Sequence, residues 1–318
     1  MNGRLEPQRI ARQILAGDDI RLRALYRKSA TRATLALTRC WLWIAAALLL
    51  CSLRPSFTTW VIAFFVIGTQ QYALSILSHE GKHRNLFTSP RVNDLAALWL
   101  TSAPLGTDFP GERRVHLDHH SRLGDDDDPD RDLYRAEDKS EVAGLLSYLS
   151  GLTTLPGVRR RVTERERRPL AARFAGLIRQ RWPAIPAQLL IIVLFALALD
   201  WWLYFVLWVA PLFFMMLIPQ RIRQFCEHAQ PVVPDVDGDA RRLVTYRPGV
   251  IERIFLAPFN MGYHAEHHLW PAVPWYRLPQ LAEILPPNDF IEKRGGYLRF
   301  LMDYSRRLPL GRLAGASS

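Results

Sequence analysis

The nine residues Tyr263–Pro271, YHAEHHLWP, decide how the rest of this chain is read. His264, His267 and His268 stand at i, i+3 and i+4, so on a helix their imidazoles leave one face within a single turn. Three imidazoles on one stripe suit a first-row transition metal far better than apolar packing. The H-x-x-H-H spacing recurs at His116, His119 and His120 (HLDHH), and a shorter pair, His79 and His83, stands in HEGKH. Eight of the nine histidines thus fall in three five-residue windows, and the ninth is His228. One such pair would read as a solvated helix face; three groups read as a metal site.

The surrounding sequence is segregated. Of 318 residues 49% are hydrophobic and 22% charged, but long apolar runs alternate with arginine-rich ones, as in a multi-spanning membrane protein. The net charge of +11 flanks the apolar runs instead of decorating one soluble face, which argues for the positive-inside rule and against nucleic acid. Cys40, Cys51 and Cys226 are widely spaced and form no CxxC, so neither a disulfide framework nor a cysteine-ligated cluster is encoded. The N-terminus is too long and charged before its first apolar run to read as a cleaved signal.

Taken in order, residues 1–33 are polar and basic and read as a cytoplasmic tail or interfacial helix. Leu35–Leu53 and Phe57–Leu77 are long enough to cross a hydrocarbon core of about 30 Å, with Arg54-Pro55-Ser56 as the breaker between them. The first histidine pair follows directly. Val92–Leu105 is apolar but short, and is expected to be re-entrant or interfacial. The run Gly124–Asp130, GDDDDPD, follows the second box closely enough to support its histidines. Glu141–Leu155 reads as a packed or interfacial helix, and Arg159–Arg181 as a basic amphipathic segment on anionic headgroups, a face that could also dock an acidic partner. Ala187–Pro219 holds one charge, Asp200, and is expected to form a hairpin turning at Asp200-Trp201-Trp202, because a shared site needs an even number of crossings between His120 and His228. The expectation is therefore an all-α multi-pass membrane protein. It has four transmembrane helices in two hairpins (about 35–53, 57–77, 185–200 and 201–219), with both termini and a helical, histidine-rich cap on the cytoplasmic side. A core domain over 34–285 and a cytoplasmic tail over 286–318 complete it.

Nine imidazoles exceed the four ligands of one zinc and suit two metals, each keeping a position open. Soluble di-iron bundles use a pair of Glu-x-x-His motifs, whereas this sequence holds a single one, Glu80–His83 within HEGKH. With these residues in view, the order H-x-x-x-H, H-x-x-H-H and distal H-x-x-H-H between paired apolar helices resembles the membrane fatty acid desaturase family, a histidine-box, non-haem di-iron family. The likeness covers about 57–285. HLDHHSRLGDDDDPDRD, RIRQFCEHA and YHAEHHLWPAVPWYRLPQL resemble the second box, the lone-histidine segment and the third box of its bacterial acyl desaturases. The resemblance implies an O2-dependent enzyme with two iron ions that puts a double bond into a fatty acyl chain. Its implied ligands are His79, His83, His116, His119, His120, His228, His264, His267 and His268. Gln224 stands where some relatives have an asparagine reaching a metal through water. Glu80, Asp118, Glu227 and Glu266, each near a box histidine, are candidates to accept the second N–H of an imidazole. The implied partners are the bilayer, an acyl-lipid, acyl-carrier-protein or acyl-CoA substrate, and an external electron donor such as a ferredoxin with its reductase. No flavin or nicotinamide fingerprint is present, and no histidines remain for a fused haem module. The implied location is a bacterial inner membrane with the site facing the cytoplasm.

Hydroxylation, acetylenation or ketone formation on an acyl chain, carotenoid or specialised metabolite stays open within that family. Outside it, HEGKH also satisfies the H-E-x-x-H of an intramembrane zinc protease. That reading leaves seven histidines without a purpose and puts Gly81 inside a helix it should weaken. A metal transporter would place its ligands at the bilayer midplane, whereas these lie beside the spans.

Overall fold

The computed structural model describes residues 7–15, 19–125, 127–134, 141–151, 176, 178, 180–228 and 243–309. Its helices are α1 (Pro7–Ile14), α2 (Ile20–Leu25), α3 (Ala30–Leu53), α4 (Phe57–Lys82), α5 (Pro90–Ala97), α6 (Phe109–Arg122), α7 (Arg131–Tyr134), α8 (Val142–Leu149) and α9 (Ala184–Ala198). After them come α10 (Phe205–His228), the strand β1 (Val244–Tyr246), α11 (Val250–Phe255), α12 (His264–Leu269), α13 (Leu278–Ile284), the strand β2 (Glu292–Arg294) and α14 (Tyr297–Ser305). Two compact units result. One comprises residues 28–114 and 159–217, the other 1–27, 115–158 and 218–318.

The first unit is built on the α3–α4 hairpin. Ser29 caps α3 through the Arg32 N–H, and Arg54-Pro55 ends it, since a proline disfavours helix at the residue before it. Ser56 and Thr59 form a reciprocal capping box that starts α4. At 24 and 26 residues the two helices, about 36 and 39 Å long, can each cross a bilayer. Within this unit α4 is the more buried, because it also packs on α10: a Cβ on Gly68 would fall 2.4 Å from the Met215 Cβ. The first part of α10 is π-helical at Phe205–Val209 and Leu212–Leu217, and Gln71 Nε2 donates to the Trp208 carbonyl in the first stretch (2.9 Å). Trp41 stacks on Trp208 and donates to the Leu100 carbonyl in another π-helical stretch, Leu98–Ser102.

Among the described residues, three helices are thus long and apolar enough to cross a membrane. The fourth expected crossing, 185–200, is here α9, whose fifteen residues reach only about 22 Å. The chain breaks after Leu199, as the Asp200-Trp201-Trp202 sequence suggested. The apolar run from Val92 becomes α5 plus its π-helical extension, too short to span. Gly81 does not weaken α4, which continues to Lys82. An added Cβ there would meet the Ala97 Cβ at 2.4 Å, so this glycine permits a close helix–helix approach. That removes one objection to the protease reading, though not the surplus of histidines.

The second unit is helical apart from one feature the sequence reading did not foresee. β1 and β2 form a two-stranded parallel pair, Val244 opposite Glu292 and Tyr246 opposite Arg294, so the fold is not purely α. Strands of three residues carry no alternation long enough to read, which is why they were invisible. The N-terminal α1 and α2 are not a loose tail. Ile10, Ile14, Leu22 and Leu25 join Ala265, Leu269, Trp270, Leu278 and Leu281 in one apolar core behind α12. The segment after residue 286 likewise folds in, as β2 and α14. The basic segment Arg159–Arg181 lies outside the described residues except for its last positions, and Asp126 of the aspartate run lies outside them as well.

Candidate metal centre

Every histidine box sits on a helix or at its end, as the spacing predicts. α12 is only six residues long and wholly buried. Phe259 and Asn260, both left-handed (φ 55° and 60°), bend the chain toward it, and Asn260 Nδ2 fixes the bend on the Trp275 carbonyl. Gly262 lets β1 pass closely: its carbonyl accepts from Tyr246 N (2.8 Å), and a Cβ would meet the Tyr246 oxygen. His116, His119 and His120 occupy the last two turns of α6, and His228 ends α10.

In the second unit these histidines form two trios. One ligand nitrogen from each of His119, His228 and His268 lies within 4.8 Å of the others, and the same holds for His116, His120 and His267. His228 Nε2 stands 3.3 Å from His119 Nε2 and 2.9 Å from His264 Nε2. Two nitrogens bound to one ion at about 2.1 Å would stand about 3.0 Å apart at a right angle and about 3.4 Å at a tetrahedral one, so the spacing fits a shared cation. Both ring nitrogens of His268 are buried and make no hydrogen bond among the described residues, a costly state unless a metal takes one of them. Burial, reinforced by neighbouring imidazoles, holds His264 and His268 well below the ordinary histidine pKa, which keeps them neutral and able to ligate. In the first unit His79, one turn from the end of α4, and His83, its C-cap, bring their rings to 5.4 Å.

The carboxylates divide sharply. Asp128, 5% exposed, accepts from four donors: His119 Nδ1 (2.8 Å) and Asp130 N (2.9 Å) on Oδ1, Tyr134 OH (2.5 Å) and Gly124 N (3.2 Å) on Oδ2. Burial alone would push its carboxyl up, but the bonds from His119 and Tyr134 outweigh it and the net shift is downward, so Asp128 is an anion that only accepts. His119 Nδ1 therefore donates, leaving the lone pair on Nε2, the atom facing His228. Glu227 is fully buried, with Oε2 3.3 Å from His264 Nδ1 and Oε1 accepting from Tyr297 OH (3.0 Å). Of the other carboxylates singled out in sequence, Glu80 is buried with Oε1 3.7 Å from His79 Nδ1 and Oε2 accepting from Asn85. Glu266 is bonded instead to the Thr245 hydroxyl of β1, and burial pushes its carboxyl up. Asp118 is exposed. Both stand two residues from a box histidine, about 200° around a helix, and so face away from it. Gln224 is half-buried one turn before His228.

Sequence reasoning flagged the aspartate run but not which member matters, and it missed Tyr134 and Tyr297. Tyr297 is seventy residues from Glu227 and gives no local signal.

Apolar helices long enough to span a bilayer, together with imidazole clusters that could hold metal ions, are the features of a histidine-box membrane protein. The family model "Fatty acid desaturase" matches residues 55–300, and the chain belongs to that family. It is 28% identical over 256 residues to a beta-carotene ketolase of Paracoccus sp. (strain PC1), covering 74% of this chain and 90% of the relative. It is 21% identical over 242 residues to an sn-1 acyl-lipid omega-3 desaturase (ferredoxin) of Nostoc sp. (strain 36), covering 71% and 67%. A stretch of 47 residues is 38% identical to a human sphingolipid delta(4)-desaturase/C4-monooxygenase, covering 14% of this chain and 15% of that one.

Proposed function

We propose that this chain is an O2-dependent, di-iron membrane oxidoreductase that desaturates a fatty acyl chain, with all nine histidines as its ligands. The observation that carries the reading is the presence of two imidazole trios, buried except for half-buried His116, a donor set that matches two metals of intermediate softness. The chemistry the bound irons supply is activation of dioxygen to take two hydrogens from adjacent carbons, while two electrons and two protons from outside complete the reduction of oxygen to two waters. This chain's own part is to hold neutral imidazoles in place, as Asp128 does for His119, and to limit water at a site where seven of the nine histidines are buried and His83 and His116 are half-buried. His79 and His83 need further donors to complete a coordination sphere, and donor counting assigns them to the same pair of irons. Gln224 is read as a water-mediated contributor. The electron donor is read as a ferredoxin or similar carrier, in keeping with the printed name of the omega-3 desaturase relative.

In the same reading α9 completes a fourth, short crossing, with both termini and the metal centre on the cytoplasmic side of a bacterial inner membrane. Exposed Trp182 and Trp201 at its two ends resemble interfacial anchors, and a short span is accommodated by local thinning.

A second reading, ketone formation on a carotenoid, is favoured by one observation: the ketolase relative is matched over 90% of its length. Expression in a host that makes both acyl lipids and β-carotene, followed by mass analysis of lipids, acyl thioesters and pigments, separates the two. Acyl products two hydrogens lighter support desaturation. A pigment that gains one oxygen and loses two hydrogens supports the ketolase, and no change in either class rejects both.

A further inference from the structure

Two imidazoles of this centre are backed by a buried carboxylate that is itself held by a buried tyrosine. The first chain is His119–Asp128–Tyr134. The second is His264–Glu227–Tyr297, in which Glu227 Oε2 stands 3.3 Å from His264 Nδ1 without a formed hydrogen bond. They converge on one imidazole, His228, whose Nε2 faces Nε2 of both His119 and His264. Tyr134 also lays its ring against His228, with centroids 5.3 Å apart, and is 2% exposed; Tyr297 is 0% exposed.

We infer that Asp128 with Tyr134 is a positioning pair that fixes the tautomer and aim of His119 for a metal held with His228, and that Glu227 with Tyr297 is a looser counterpart within contact distance of His264. The inference rests on the di-iron reading and names residues that serve one of its two metals. A carboxylate on Nδ1 leaves Nε2 as the only ligating nitrogen and raises its basicity, so the pair acts on the metal through the imidazole. A tyrosine hydroxyl on the far carboxylate oxygen keeps that carboxylate from rotating away. Asp128 is the better aligned: its bond to His119 is 2.8 Å, whereas Glu227 lies 3.3 Å from His264 and also 3.5 Å from Arg223 Nε. Charge matters as well as shape. The buried anion Asp128 behind a neutral ligand offsets part of a divalent or trivalent ion's charge, whereas burial pushes the Glu227 carboxyl up to about 7 and leaves it a weaker counter-charge.

The test is a metal titration of the purified full chain, stripped with chelator and refilled anaerobically with Co(II) as a spectroscopic probe and Fe(II) as the native candidate. Wild type is expected to take two ions. Asp128→Asn, which keeps an acceptor for His119 but removes the charge, should weaken one of the two by about 10–100-fold and shift its visible Co(II) bands, leaving the other ion unchanged. Tyr134→Phe should weaken the same ion by less. If Asp128→Asn does not stay monodisperse, Tyr134→Phe, which loses only a hydroxyl, decides alone. Two tight ions with unshifted bands in the variants would overturn this inference while leaving the proposed function standing. No metal in wild type would overturn both. Equal weakening of both ions would point to a general loss of structure and would also overturn it.

Discussion

The two imidazole–carboxylate–tyrosine chains reach the same histidine by different routes. His119, Asp128 and Tyr134 lie within sixteen consecutive residues, at the end of α6, in the turn beyond it and in α7. His264, Glu227 and Tyr297 come from α12, α10 and α14, separated by 37 and then 70 positions. The local chain is tight and closed by backbone N–H groups of Gly124 and Asp130, so it can form as soon as its turn does. The distributed chain forms only when three distant elements have docked, and its imidazole–carboxylate spacing is looser. The centre therefore has one side set by a loop and another set by the whole second unit.

The largest expected effect breaks both sides at once. His268→Ala removes a member of the trio outright and should abolish turnover and the tighter retention of one metal, read by elemental analysis of membrane-inserted protein. Next comes the distributed side as a whole. A chain ending at Arg294 loses α14 and Tyr297, and should lose metal at the His228 ion even though every histidine remains. Single side chains should rank below that. Glu227→Gln should cost less metal affinity than Asp128→Asn, because Glu227 stands 3.3 Å from His264 without a formed hydrogen bond, and titration of the two variants side by side measures the ratio. Tyr297→Phe, which removes one buried hydrogen bond, should lower thermal stability by about 0.5–1.5 kcal/mol.

The smallest effect is common to both sides. His264 and His268 are held neutral in the fold, with pKa values below those of the unfolded chain, so the unfolded state binds more protons. Stability of the metal-free protein should then be full above the unfolded histidine pKa of about 6.5 and fall as pH drops below it. Thermal scans of the stripped protein from pH 8 to 5 check this. Stability that rises toward pH 5 would mean these imidazoles gain protons on folding.

The same contrast between local and distributed explains what could be read beforehand. α3 and α4 were legible because an apolar run of more than eighteen residues has few alternatives, and α12 because i, i+3, i+4 spacing declares one helix face. α9 was expected as a short crossing over about 185–200, and its bounds were legible from the apolar run and the Asp200-Trp201-Trp202 break. The helix runs from Ala184 to Ala198. Four carboxylates beside box histidines looked alike, though helical angle alone would have sent Asp118 and Glu266 to the far face. Glu227 and Asp128 needed the fold. So did the role of the N-terminus, whose Ile10, Ile14, Leu22 and Leu25 are too sparse among arginines to announce a core.

The central claim is that the clustered imidazoles hold two irons. Purification of the full chain without added chelator, followed by elemental analysis and Mössbauer spectroscopy of protein from 57Fe-grown cells, tests it most directly. The account predicts two irons per chain, both lost only when box histidines are replaced. One zinc per chain, with no iron and no iron-dependent turnover, would contradict it.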